Sequence, residues 1–155
     1  MRRMGLLWQF YPPLLTILVI SLVLVTGFSG RAMRSFMVGH TTDNLESFAK
    51  ALAPEIALSV KSGNSPAIQK TCRRIGQESG YRLTVVLAGG QVVGDSNENP
   101  GLMENHALRP EIARSLKGEM GVSQRYSSTL GHQRLYVAVP GISTPEGQSV
   151  PFVIR

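Results

Sequence analysis

The chain has a single cysteine, Cys72, in 155 residues. An intramolecular disulfide is therefore impossible and a multi-cysteine zinc site is excluded, so the fold must stand on its core. Acid is missing from the first 34 residues, where Arg2, Arg3, Arg31 and Arg34 supply four of the six net positive charges. The rest of the chain is only mildly basic, which is not the clustered footprint of a nucleic-acid binder. The positive balance reports membrane flanks, and no nucleic-acid partner is expected. Catalytic patterns are missing too. His40, His106 and His132 stand far apart with no HExxH and no paired spacing, so no metal site is expected. Gly89-Gly90 lacks GxGxxG or GKS/T surroundings and reads as a hairpin turn. Ser127 and Ser128 have no nucleophile-elbow context, and the scattered acids make no glycosidase pair. This segment is expected to hold no catalytic residue and to be no enzyme by itself.

What is present is one long greasy run. From Leu14 the chain reads LLTILVISLVLVTGF, and residues 6–30 carry no charge. A bilayer-spanning helix needs about 20 mostly apolar residues. Trp8, Phe10 and Tyr11 sit at the start of the run, where amphipathic rings favour the headgroup level. Pro12 and Pro13 suit the first turn of such a helix better than its middle. A cleaved signal peptide is the competing reading, with Val25 and Gly27 as the small-residue match. The length of the run and its aromatic belt favour a retained anchor. Arg2 and Arg3 against Arg31 and Arg34 give a slight positive-inside bias, with the N-terminus in the cytoplasm and the folded domain outside.

Residues 31–61 read as a membrane-proximal stalk helix. Leu45, Phe48, Ala49, Leu52 and Ile56 recur at spacings of three and four. Pro54 should bend this helix or start a second segment. The stripe suits a stalk with a dimer contact (Leu45, Phe48, Leu52, Ile56) or a core face, since both use the same pattern. Ser65 before Pro66 reads as an N-cap, Ile68, Cys72 and Ile75 share a face, and Gly80 stops the helix. Cys72 reads as a small core residue; the neighbouring Arg73 and Arg74, which could lower a thiol pKa, keep a redox role open. Residues 83–87 and 91–94 form a hairpin, 101–107 a helical turn, and 110–117 a short helix closed by Gly118. Strands follow at 121–127 and 134–140, joined by a turn at 128–133, and the second is expected to be central. After a loop at 142–148, residues 150–154 read as a fifth strand cut off at the chain end. The fold class is α+β: a transmembrane helix (1–30), a stalk helix (31–61), and a domain (62–155) with a five-stranded antiparallel sheet and helices on one side.

The run GDSNENPGLMENHALRPEIARSLKGEMGVSQRYSSTLGHQRLYVAVP carries a resemblance. Asp95-Ser96, Met103-Glu104-Asn105-His106, Arg109-Pro110-Glu111-Ile112, Gly118, Gly121, Arg125-Tyr126-Ser127 and Leu135 to Pro140 stand in the order of the extracytoplasmic PAS-like sensor region of PhoR-like (phosphate-regulon-type) transmembrane histidine kinases. The resemblance covers about residues 83–155, and the anchor and stalk agree in layout only. It implies a homodimeric sensor at the bacterial inner membrane, in contact with lipid, with its domain outside the cell. It further implies a second span, a HAMP linker and a kinase module beyond this segment. That module would bring ATP and Mg and would act on a cognate response regulator; no cofactor is expected in the segment itself. Similar sensor regions also precede chemoreceptor and cyclic-dinucleotide-synthase outputs, and a stand-alone anchored binding protein is the remaining alternative. The stimulus, a small molecule or a protein, is not carried over from the family name.

In a PAS-like fold the helices after the second strand cover one face of the sheet, where a small molecule could sit. Asp95, His106, Arg109, Arg125 and Tyr126 would be the polar groups near such a pocket, with Arg109 and Arg125 able to hold a carboxylate or phosphate by paired donors. The alternative is that they hold the loop together, with Asp95 capping a turn and Arg109 pairing locally with Glu111.

Overall fold

The structure is a computed structural model, and it describes residues 6–127, 132–141 and 151–155. Arg2 and Arg3, most of the turn expected at 128–133, the loop expected at 142–148, and Val150 at the start of the last strand lie outside the described residues. The chain divides into two compact units, Met1–His40 and Thr41–Arg155, and the division falls within helix α1 (Leu6–Lys61).

In the first unit α1 turns its apolar side chains outward; Leu14, Ile17, Leu22, Val23 and Phe28 are all exposed. By length and composition the helix can cross a membrane, and none of its apolar window is buried within the structure. The hydroxyls of Thr16 and Thr26 donate to the carbonyls of Pro12 and Leu22 at 2.8 and 2.6 Å. These two hydroxyls inside the greasy run are thus satisfied by the helix itself, as an apolar solvent requires.

The second unit begins on the same helix. Pro54 does not start a new segment: α1 continues through it to Lys61. The missing hydrogen bond is offset by packing, because Ala53 and Ile56 on either side are buried in the core. The stripe faces that core as well. Ile56 is 1% exposed, and Leu45, Phe48 and Leu52 pack half-buried against the same cluster. Helix α2 (Ser65–Ser79) is capped by Asn64, whose side chain accepts from the Ala67 N–H at 3.0 Å, one residue before the Ser65 cap expected from sequence. Asn64 takes the role because its amide oxygen reaches the free N–H three residues on. Gly80, in the left-handed region at φ 72°, ends the helix as expected.

Strands β1 (Thr84–Leu87), β2 (Val92–Asp95), β3 (Gly121–Ser127), β4 (His132–Pro140) and β5 (Phe152–Ile154) form one antiparallel sheet in the order β2-β1-β5-β4-β3. The fold is therefore the α+β class expected, a five-stranded open sheet with helices. β4 is internal, and β5 holds the middle of the sheet. Between β2 and β3 a 3-10 turn (Pro100–Leu102) precedes α3 (Pro110–Ser115).

Alternation along the strands sorts the side chains onto two faces. Val85, Val93, Val137, Val139 and Ile154 join Ile56 of α1 and Ile68, Cys72 and Ile75 of α2 in one core. Val86, Val92, Ala138 and Val153 point the other way and meet Ile112 of α3. The expectation of helices on one side describes α1 and α2; the six-residue α3 lies against the opposite face. Its approach is close: a Cβ at Gly121 would lie 1.9 Å from the Glu111 carbonyl oxygen.

Candidate functional site

The face under α3 carries charge that the other face does not. Thr84 and Asp95 are partners in the β1–β2 ladder, and both are fully buried. Asp95 accepts from the Thr84 hydroxyl at 2.7 Å, from Arg82 Nε at 3.1 and 3.2 Å, and from the N–H groups of Asn97 and Glu98 at 2.9 and 3.0 Å. Its backbone N–H and C=O are both met by the Gln69 amide at 2.9 Å. Burial pushes the Asp95 carboxyl up, but the hydrogen bonds from Thr84, Asn97, Arg82 and Glu98 outweigh it and hold the group below the usual carboxylate range. Its bonding capacity is spent inside the protein.

From Thr84 the network continues across the sheet. Arg155 Nη2 donates to the Thr84 hydroxyl at 3.2 Å, and Arg155 Nη1 lies 3.5 Å from Glu111 Oε1. Arg125 Nη2 donates to the same Glu111 oxygen. Both guanidinium groups stand over the Tyr136 ring, Arg125 at 4.6 Å and Arg155 at 5.1 Å from its centre, within cation–π range. Arg134 faces Arg125 directly in the β3–β4 ladder, so a further cation borders the site. Burial first, then the charge of Arg109, pushes the Arg155 guanidinium down.

Beside this network, Glu111 Oε2, Ser115 Oγ and Arg125 Nε find no hydrogen-bond partner among the described residues, and the buried His106 ring lies against the backbone of Glu104 and Asn105. His106, Glu111 and Ser115 are at most 2% exposed. Glu111 and Ser115, one turn apart on α3, share a face. Burial pushes the His106 imidazole down, and the charges of Arg109 and Arg155 add to the effect. Unsatisfied buried donors and acceptors are costly. These atoms gather on the α3 face.

The residues named from sequence divide. His106 and Arg125 contribute to the cluster, and Arg109 acts on it by charge. Asp95 is tied up in its turn. Tyr126 is 66% exposed and points to the opposite face from Arg125, because neighbours on a strand alternate. The local Arg109–Glu111 pair is not formed: Glu111 turns to Arg125 and Arg155. Residues two apart at a helix start do not face each other. Sequence reading missed Arg82, Thr84, Ser115, Tyr136 and Arg155. The two-residue alternation from Ala138 back to Tyr136 was the one available signal for the ring.

A cleft borders this network. It has about 670 Å³ and opens among Leu45, Phe48, Tyr81, Leu83, Leu135 and Val137, with Arg82, Arg134, Tyr136 and Arg155 of the network also in its lining. None of the polar residues named from sequence lines it. Among the described residues no three His, Cys, Asp or Glu side chains come together as a metal site would require.

No family model and no curated protein matches the chain. Solved structures do. The sensor domain of the Vibrio cholerae histidine kinase DctB superposes with a TM-score of 0.62 at 17% identity, covering 85% of this chain and 55% of that one. The Escherichia coli DcuS sensor domain superposes with a TM-score of 0.53 at 19% identity, covering 74% of this chain and 89% of that one. The chain thus spans little more than half of the DctB structure. At these identities the likeness establishes the fold, that of PAS-like sensor domains.

Proposed function

We propose that this chain is the signal-input region of a PhoR-like transmembrane sensor histidine kinase. On this reading α1 anchors it in the inner membrane, the sheet domain lies outside the cell, and an anion held on the α3 face is the stimulus. The observation that carries the reading is the set of buried polar atoms on Glu111, Ser115 and Arg125 beneath α3 that have no partner among the described residues. Native domains leave only a few such atoms, and those found among the described residues gather at one place. The fold shared with histidine-kinase sensor domains and the outward-facing apolar helix support it.

The chemistry of the cluster selects the ligand class. Arg125, Arg155, Arg134 and Arg109 outnumber the two carboxylates among them, Glu111 and Asp95, so the local balance favours a carboxylate or phosphate from outside. Such a ligand transmits a signal only through unequal affinity for two arrangements of the domain. The kinase module, its ATP and Mg, and the response regulator belong to the proposed longer protein.

A homodimer is part of the proposal. Because Ile56 is buried and Leu45, Phe48 and Leu52 lean on the core, a second copy would meet the outer side of α1, where Leu58 is 71% exposed. Leu58→Cys in membranes should crosslink; failure of every outward position on α1 to do so contradicts dimerisation through this helix. The anchor is tested by fusing alkaline phosphatase or β-galactosidase after Arg155. Activity of the phosphatase alone is expected, and activity of the galactosidase alone places the domain inside the cell and overturns the reading.

A further inference from the structure

Glu111 is the carboxylate that the cations of the α3 face already hold. Its carboxylate is 0% exposed, and one oxygen, Oε1, is shared by Arg125 from β3 and Arg155 at the end of β5. Among the described residues the other oxygen has no partner, nor does the Ser115 hydroxyl one turn along the same helix, nor Arg125 Nε. A carboxylate evolved as a purely structural bridge would use both oxygens, since two parallel bonds to a guanidinium are its strongest arrangement. The helix that carries it is short, Pro110–Ser115, and is bounded by Arg109 in extended conformation and by Gly118 at φ 88°. Six residues make little helix by themselves, so α3 is held by what it touches. Ile112 anchors it apolarly, and Glu111 supplies its ionic attachment to the sheet.

We infer that Glu111 is a tethered competitor. Resting on the proposed anion site, the inference is that a free carboxylate or phosphate displaces the Glu111 carboxylate from Arg125 and Arg155 and thereby releases α3 from the sheet. The domain then has two arrangements of the same cations, one neutralised from within and one from outside. The ligand's apparent affinity is reduced by the population of the internally paired arrangement. No covalent step and no proton transfer is needed; one anion replaces another.

The test uses the full chain in detergent. Its thermal midpoint is followed against succinate or inorganic phosphate, with potassium chloride at matched ionic strength as the reference. Glu111→Gln removes the competing charge and keeps the shape. It should respond at concentrations roughly tenfold lower than the native chain, the scale of an ordinary coupling between two sites. Adding Arg125→Met to that variant should return the response to the chloride level. If the native chain responds and Glu111→Gln responds at the same or higher concentration, the tether is wrong and the anion site stands. If neither responds beyond chloride, the anion site itself is wrong and the inference falls with it. Should Glu111→Gln not fold, Glu111→Asp replaces it. It withdraws the carboxylate by one methylene and should shift the response in the same direction by a smaller factor; an unchanged response then refutes the tether.

Discussion

The two faces of this sheet are built from alternate residues of the same strands, yet they are held together by different physics. Toward α1 and α2, Val85, Val93, Val139 and Ile154 meet Ile56, Ile68 and Ile75 with hardly any polar atom among them. Each such side chain contributes about 1.5–3 kcal/mol when fully buried. Toward α3 the apolar contacts are fewer, and Asp95, Thr84, Arg155, Glu111 and Arg125 form a chain of ionic and hydrogen bonds across the strands. Breaking a buried ion pair is costly, but forming one gains little over an apolar packing. The first face accounts for stability. The second keeps polar groups under cover without pairing all of them among the described residues.

Substitutions can break this contrast, and the largest effect belongs to the apolar face. Phe152→Ala, at a buried position in that core, should cost about 3–5 kcal/mol in urea unfolding. The loss should be the same in phosphate as in chloride; an anion-dependent loss would blur the distinction between the faces. Next comes Asp95→Asn, which leaves Arg82 without its buried charge partner and should cost about 2 kcal/mol. Because the folded-state pKa of Asp95 is lowered, its contribution is present above the unfolded value of about 3.9 and is lost as pH falls through the folded value. The native chain should therefore weaken in that acid range, and the variant should weaken less.

His106 gives a smaller effect in a different window. Its folded-state pKa is also lowered, with Arg109 and Arg155 as the nearby charges. The neutral ring is favoured in the fold, so its contribution is complete above about pH 6.5 and is lost as pH falls through the folded value. His106→Leu should flatten the stability slope just below pH 6.5, and an unchanged slope would remove His106 from the cluster's electrostatics. The smallest effect is expected at Cys72 on the apolar face. Its thiol is 0% exposed and is pushed up to about 12 by burial. A thiol reagent at pH 8 should leave the native protein unlabelled, and Cys72→Ala should cost about 1 kcal/mol; fast labelling would restore the redox reading.

Local signals in the sequence were legible wherever the physics is local. Strand β3 at 121–127, the Gly80 stop and the face shared by Ile68, Cys72 and Ile75 follow from periodicity and turn chemistry alone. The site was only partly legible. Arg155 meets Thr84 from 71 positions away and Glu111 from 44, and no spacing rule reaches that far. Tyr126 stands beside Arg125 in the sequence, but the strand's alternation sends it to the other face, and Tyr136 lies under the guanidinium groups instead. Pro54 reads locally as a break, and tertiary packing carries the helix through it. The stripe on α1 fits core or partner equally until the sheet is in place.

Hydrogen exchange along the full chain, with and without saturating succinate or phosphate, tests the division between the faces most directly. Faster exchange in residues 110–115, altered protection in 104–109, 121–126 and 152–155, and unchanged protection in 49–60 and 68–75 is the result expected. No change in any peptide, or a change centred on residues 45–49 and 76–81 at the apolar end of the cleft, would contradict it.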